Sequence, residues 1–353
     1  FNQYESFRTG LGGKTNNTFS NKFRLKTYVV YGFGDQKFKY SFGGGLRLNE
    51  KHNTWLNLSY TDDLQETGST NFLTDGRFFQ FFEPRLLNID LFYRHITTTL
   101  SLEHNIQPNL LSKLRFAVSN IHPIHNYIFK VGNDSYSNYE ISSSTWALQW
   151  HPKKDMQSKP VFPSLTLQYT KSFKDVFKSN FNFSKIDFKA LHRFYHGQDN
   201  FSEITVTSGI ASGEAPLTHL YHAYPNNIRK ETIMQRFSVA GLNSFETMFF
   251  NEFFSDKFVT IQYKYYLPSF NLSPRFKPQM VLITRYALGD MENPERHQNI
   301  VFGSLKNGYT ESGFEINKLL FGFGLSFTYR YGAYHLPNIS DNVAFKFTFN
   351  ITL

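Results

Sequence analysis

The chain has 353 residues and is aromatic-rich yet polar on average: 18% are Phe, Tyr or Trp, only 40% are hydrophobic, and the mean hydropathy is −0.41. There is no cysteine, which excludes disulfides and thiolate metal sites, and no run approaches the roughly 18 apolar residues of a membrane helix. The net charge of +9 arises from 37 basic and 28 acidic residues scattered singly, so no nucleic-acid patch is expected. A soluble core concentrates Leu, Ile, Val and Ala. A wall with lipid on one side and water on the other needs alternating apolar and polar positions, and this composition fits the wall.

Taken in chain order, the alternation predicts strands from one end to the other. Near the start Phe23, Leu25, Val29, Tyr31 and Phe33 share a face, and the turn Gly34-Asp35-Gln36 leads into a strand over 37–50, a hairpin signal. Trp146, Leu148 and Trp150 form a further face, as do Leu165, Leu167 and Tyr169 against Thr166 and Gln168. Val259, Ile261, Tyr263, Tyr265 and Leu267 alternate with Thr260, Gln262 and Lys264. In the next-to-last run Phe321, Phe323, Leu325, Phe327, Tyr329 and Tyr331 oppose Gly322, Gly324, Ser326, Thr328, Arg330 and Gly332. The last run sets Val343, Phe345, Phe347, Phe349, Ile351 and Leu353 against Ala344, Lys346, Thr348, Asn350 and Thr352.

The predicted strands number about sixteen, near 1–13, 21–34, 37–50, 53–64, 95–106, 110–121, 143–152, 163–173, 179–194, 202–213, 235–243, 257–268, 278–290, 308–320, 321–332 and 341–353. About 9–11 residues suffice to cross a bilayer as a tilted strand. Connectors 65–94, 122–142 and 214–234 then share a side with tight turns, so strands are missed or merged, with 77–82 and 87–93 as candidates and fourteen to eighteen as the range. The expectation is an all-β fold, one closed antiparallel transmembrane barrel over 1–353, its last strand pairing with residues 1–13 because hydrocarbon tolerates no free edge. A soluble β-sandwich also alternates. Its strands average about five or six residues, however, and edges as long as these would invite aggregation.

Few residues suggest chemistry. His192 and His196 lie four apart, but on a strand that is about 13 Å, too far for one metal ion. His122 and His125 flank Pro123 in a predicted loop, where solvated histidines are the ordinary reading. Asp62 and Asp63 are adjacent in a turn-like stretch and would face opposite ways. Gly43-Gly44-Gly45 allows bending or close approach inside a barrel rather than cradling a ligand. With no Gly-x-Ser-x-Gly turn and no phosphate loop, neither catalytic residues, cofactor nor metal are expected.

The C-terminal third carries a family resemblance. Phe245-Glu246-Thr247-Met248, Asn251-Glu252-Phe253-Phe254-Ser255-Asp256, Asn293-Pro294-Glu295-Arg296-His297, Gly308-Tyr309-Thr310-Glu311-Ser312-Gly313, Tyr329-Arg330-Tyr331-Gly332 and Asp341-Asn342-Val343-Ala344 resemble a Bacteroidota outer-membrane family. Its members usually carry an N-terminal carboxypeptidase-regulatory-like domain, and their function is mostly unassigned. The match covers about 215–353 and implies that this chain is the barrel portion of a longer precursor. That family in turn resembles the surface-antigen superfamily, the sixteen-stranded barrels of BamA-like assembly factors and two-partner secretion pores. There a long loop before the twelfth strand folds into the lumen and carries an Arg-Gly-aromatic motif. The corresponding stretch, 244–256, has Phe245, Glu246, Thr247, Met248, Asn251, Glu252 and Asp256 but no Arg-Gly.

The resemblance implies a Gram-negative outer-membrane protein, not an enzyme, that assists assembly, insertion or export of outer-membrane or surface proteins. The alternatives are a non-transporting scaffold or accessory subunit and a passive pore. Its implied partners are outer-membrane lipid, lipopolysaccharide and other outer-membrane proteins or secretion machinery. The stretch 244–256 is either a solvated extracellular loop with Glu246 free or, if it folds inward, one in which Glu246 needs a cationic partner on the wall. Arg330, on the polar face of its strand, is favoured over Arg285, whose face is ambiguous. Leu325, Phe327, Tyr329, Phe345, Phe347, Phe349, Ile351 and Leu353 are the expected lipid-facing side chains of the last two strands.

Overall fold

A computed structural model describes residues 2, 4–75, 89, 91–152, 162–197, 199–228, 238–271, 277–320 and 322–349. Its strands, in chain order, are β1 (Arg8–Lys14), β2 (Phe23–Gly32), β3 (Lys37–Asn49), β4 (Thr54–Glu66), β5 (Phe92–Gln107), β6 (Leu110–Pro123), β7 (Ile128–Val131), β8 (Asp134–Tyr136), β9 (Tyr139–Trp150) and β10 (Ser164–Ser172). There follow β11 (Phe183–Tyr195), β12 (Phe201–Gly213), β13 (Pro225–Asn227), β14 (Phe245–Phe249), β15 (Lys257–Tyr266), β16 (Gln279–Asp290), β17 (His297–Gln298), β18 (Tyr309–Leu320), β19 (Phe323–Tyr331) and β20 (Val343–Phe349).

Fifteen of these form one sheet in the order β1-β2-β3-β4-β5-β6-β9-β10-β11-β12-β15-β16-β18-β19-β20, every neighbouring pair antiparallel. The runs alternate because one face carries Phe, Tyr, Leu and Ile and the other Thr, Ser, Gln and charge. On β16, Gln279, Val281, Ile283, Arg285 and Ala287 are buried, while Leu282, Thr284, Tyr286 and Leu288 are exposed. The inner face therefore includes Arg285, which resolves its ambiguous placement. On β19 and β20, Ser326, Thr328, Arg330, Ala344, Lys346 and Thr348 are buried, whereas Tyr329, Phe345 and Phe347 are exposed and Leu325 and Phe327 half-buried. The side chains of Phe349, Ile351 and Leu353 lie outside the described residues, as do 77–82 and most of 87–93.

Exposed large apolar side chains cover the outer face along the sheet, among them Leu25, Phe42, Leu58, Leu100, Phe116, Trp146, Leu167, Ile186, Ile210 and Ile261. A solvated monomer does not maintain an apolar surface of that extent, whereas lipid solvates it. Among the described residues no helix is long and apolar enough to cross a membrane.

The hairpin at 33–36 forms as expected, with Gly32 opposite Lys37. Gly43 and Gly45 sit on the inner face; a Cβ on Gly45 would lie 2.4 Å from Asn57 Oδ1 and 2.8 Å from Arg24 Cγ, so the glycine makes room for an arginine crossing the wall. Of the predicted strand 235–243, residues 235–237 lie outside the described residues, and the rest forms no strand of the sheet beyond an isolated parallel bridge from Val239 to Phe347 of β20. The described part, 238–243, belongs to the connection between β12 and β15. Without it, connections 67–91, 124–138, 173–182, 214–256, 291–308 and 332–342 all leave one end of the sheet.

That end is capped. β7, β8 and β17 make a small sheet in the order β17-β7-β8. Tyr127, Phe129, Ile141, Phe181, Phe183, Leu217, Leu220 and Phe254 pack beneath it as an apolar cluster. Tyr127 Oη lies 2.7 Å from His297 Nδ1, and His297 stacks on Phe129 with centroids 5.3 Å apart. Burial lowers the His297 pKa to about 4, helped by Arg296, and lowers that of His219 in the same region to about 3.

Among the described residues no ladder joins β1 to β20, so the expected closure of the last strand on residues 1–13 is not what this sheet displays. The geometry supplies a reason. Fifteen alternating strands leave β1 and β20 running in the same direction, so the expected antiparallel pairing is unavailable to them.

Candidate functional site: a buried grip on the longest connection

The connection 214–256 is the longest, and its described residues, 214–228 and 238–256, reach the inner face through Tyr221, Glu246 and Glu252. Its backbone first pairs with itself: Tyr221 and Ser255 exchange two hydrogen bonds of 3.0 and 2.8 Å, and β13 runs parallel to β14. Tyr221 then crosses β12 at Gly209, where a Cβ would lie 2.5 Å from the ring, and donates its hydroxyl proton to Asp187 Oδ1 at 2.6 Å. A side chain on residue 209 would leave no room for that crossing.

Further along, three acidic side chains meet three basic ones. Glu311 of β18 is fully buried and accepts the N–H of Glu246 at 2.9 Å, the N–H of Thr247 at 3.0 Å and the Thr247 hydroxyl at 2.5 Å. Arg285 Nη1 of β16 donates to the same carboxylate at 2.7 Å. Glu246 is also fully buried; it pairs with Lys346 of β20 at 2.9 Å and accepts from Asn226 Nδ2, Ser244 Oγ and the N–H of Gly241 at 2.9, 2.7 and 3.1 Å. Burial alone would raise its pKa, but Lys346 and Arg285 outweigh burial and lower it. Glu252 receives both Nη atoms of Arg330, at 2.7 and 3.1 Å, the fork geometry that fixes a guanidinium on a carboxylate.

The expected pairing of Glu246 with Arg330 or Arg285 is therefore corrected. Arg330 does reach the connection, but through Glu252, while Arg285 acts through Glu311 and the Glu246 ion pair belongs to Lys346. Glu311 takes up the Arg285 guanidinium and the loop amides together, which places the Glu246 carboxylate towards β20 instead. Lys346 and Glu311 are further site residues: Lys346 is the lone charge on the polar face of β20, and Glu311 shares the buried face of β18 with Glu315.

The other expected loop residues fall into two groups. Phe245 and Met248 are fully buried with Ala223, Phe253, Ala287, Leu305 and Tyr309, and Phe245 meets Tyr309 edge-on at 5.6 Å. Asn251 has φ +61° in the turn between β14 and Phe253. Asp256 stands at the exit of the connection, its backbone bonded to Ala211 and Asp290, and it does not join the buried charges.

The remaining candidates stay apart. Asp62 accepts from Arg94 Nε and Nη2 at 2.7 and 2.6 Å, and Asp63 from Arg8 at 2.9 Å and the Tyr28 hydroxyl at 2.6 Å. Both lie within β4 rather than in a turn, on opposite faces. His122 is the penultimate residue of β6 instead of lying in a loop, its Nδ1 3.1 Å from Asn138 Oδ1. Among the described residues no group of three His, Asp or Glu residues could hold a metal ion.

No family model matches the chain, and no curated protein matches it by sequence. Solved structures do share its fold. It is similar to BamA from Haemophilus ducreyi lacking POTRA domains 1-3, at 10% identity and a TM-score of 0.58, the match covering 96% of this chain and 68% of that one. It is also similar to CdiB from Acinetobacter baumannii, at 12% identity and a TM-score of 0.51, covering 96% of this chain and 55% of that one. The chain thus spans about half the length of the latter.

Proposed function

We propose that the chain is the membrane-spanning barrel of an outer-membrane protein that assists assembly, insertion or export of other outer-membrane or surface proteins. The observation that carries this reading is the combination of an apolar outer face with a polar inner face holding one long inserted connection, in a fold shared with BamA and CdiB. The motifs within 215–353 add the narrower reading of a Bacteroidota family whose longer members precede the barrel with another domain. In this reading the outer face meets lipid and lipopolysaccharide in the outer membrane, and the function is not enzymatic and uses no cofactor. Depletion of the protein followed by an outer-membrane proteome tests it: loss of a subset of barrels or surface proteins is expected, and an unchanged proteome would overturn it.

The second reading is a scaffold or accessory subunit that transports nothing. It is favoured by the missing Arg-Gly in 244–256 and by the density of contacts holding that stretch. A passive pore is the least supported, because the ion pairs of Glu246, Glu252 and Glu311 hold the connection 214–256 against the inner face rather than leaving that face to water. Planar-bilayer conductance separates these readings, a large steady conductance favouring the pore.

A further inference from the structure

A second polar region of the wall carries charges that the grip on 214–256 does not use. Between strands β2, β4, β5 and β6 and Leu73 of the connection 67–91 is a cavity of about 200 Å³, far above the roughly 10–15 Å³ that admits one water. Arg24, Ser101, Glu103, Lys113 and Arg115 line it from the wall, and Leu73 from the opposite side. Leu73 is fixed by β10 and β11. Gln168 accepts its N–H at 2.9 Å and donates to the Asn71 carbonyl at 3.2 Å, and Lys189 pairs with Asp75 at 2.9 Å.

Three cationic side chains meet one carboxylate there. Arg24 Nε donates to Asn57 Oδ1 at 2.9 Å while its Nη2 stands 3.4 Å from Glu103, and Lys113 Nζ stands 3.3 Å from the same carboxylate. Arg115 has no share in it. The ladders place Ser101 of β5 and Thr145 of β9 beside Arg115, and Lys113 and Ala117 lie two residues away on the same face of β6. None of these four is acidic, and Arg115 Nε is buried with no acceptor among the described residues. The cavity therefore holds two positive charges beyond its one carboxylate. A buried guanidinium without an acceptor is unfavourable unless water or an anion supplies one. The small side chains of Ser101, Thr145 and Ala117 leave the space for it.

We propose that this cavity binds a small tetrahedral dianion of the phosphate class, with Arg115 as its anchor and Arg24 and Lys113 beside it. The two unbalanced positive charges match a dianion, and a monocarboxylate would leave one of them over. A guanidinium presents paired N–H groups at the spacing of two phosphate oxygens, so Arg115 can hold such an anion by a fork. The 3.3 and 3.4 Å contacts of Lys113 and Arg24 with Glu103 are longer than the 2.7–2.9 Å of a tight charged hydrogen bond, which leaves both cations able to turn to the anion. The site does not depend on the assembly reading.

Trp55 reports on the site, because the Arg24 guanidinium carbon lies 4.3 Å from the centre of its ring. Trp55 is buried, whereas Trp146 and Trp150 are exposed. The full chain carrying Trp146→Phe and Trp150→Phe is placed in lipid nanodiscs and titrated with inorganic phosphate, sulfate and acetate at constant ionic strength. Phosphate and sulfate should each give a saturable change in Trp55 fluorescence, and acetate should bind at least about tenfold more weakly. Arg115→Gln should weaken phosphate binding at least about tenfold, the change expected for one charged hydrogen bond. Because Arg115 Nε meets no acceptor in the protein, this variant should resist urea at least as well as the parent without phosphate. Phosphate should then raise the unfolding midpoint of the parent and not that of the variant. A response that does not saturate, acetate binding as tightly as phosphate, or undiminished phosphate binding by Arg115→Gln would each overturn the proposal. So would an Arg115→Gln variant that unfolds more readily than the parent without phosphate, since the arginine would then serve the wall.

Discussion

Removing the Glu311 carboxylate is the most demanding test of the buried grip. Glu311→Ala deprives two loop amides, one hydroxyl and the Arg285 guanidinium of one shared acceptor. Arg285 is fully buried, and its Nε and Nη2 already find no partner among the described residues, so no other group stands ready to take its charge. Breaking a buried pair by deleting one member costs about 3–5 kcal/mol, because the remaining charge stays buried. Each orphaned amide would add about 1–3 kcal/mol if no water reached it. These losses share one cause and do not add, so the expected destabilisation is at least about 3 kcal/mol. Adding Arg285→Met removes the stranded charge, and the double variant should recover much of the loss. Urea unfolding in lipid vesicles, followed by the fluorescence of the 3 tryptophans, measures both. A loss below about 1 kcal/mol for Glu311→Ala, or a double variant no more stable than the single one, would refute the reasoning.

Phe345→Arg puts a charge on the exposed outer face and should cost roughly 2–4 kcal/mol if the site lies near the bilayer midplane; an unchanged folding yield in vesicles would count against lipid at that face. Gly209→Val should push the Tyr221 ring off β12 and release its bond to Asp187, at roughly 1–3 kcal/mol, seen as faster proteolysis within 214–256. The cap should weaken in acid. His297 takes up its proton at about 4 when folded and near 6.5 when unfolded, so between these values the unfolded chain binds more protons and stability falls with pH, by about 3 kcal/mol once both forms are protonated. Proteolysis of the cap should therefore accelerate from pH 7 to pH 4, and His297→Phe should reduce that dependence, His219 supplying the remainder.

Much of the wall was legible residue by residue. The period of two needs only local steric rules, and it assigned Phe345, Lys346, Phe327 and Arg330 to faces that the burial pattern repeats. In the run 235–243 only 238–243 are described, and they make a single parallel bridge to β20 rather than a wall strand, a difference alternation does not encode. His122 was read as loop because Pro123 suggested a break, yet the ladder of β6 with β5 runs on through Pro123, which stands opposite Tyr93.

The sequence by itself determined the all-β class, the two faces and the need for each buried charge to find a partner, since these follow from short-range geometry and the cost of desolvation. Which partner each charge takes depended on the tertiary structure alone. Lys346 is 100 residues from Glu246 in the chain, and Arg330 is 78 from Glu252, separations over which no local pattern carries information. The same holds for the edge of β20: alternation predicts a strand there, but only the folded path of 214–256 decides that Ser238 and Ala240, rather than β1, meet the backbone of Phe347.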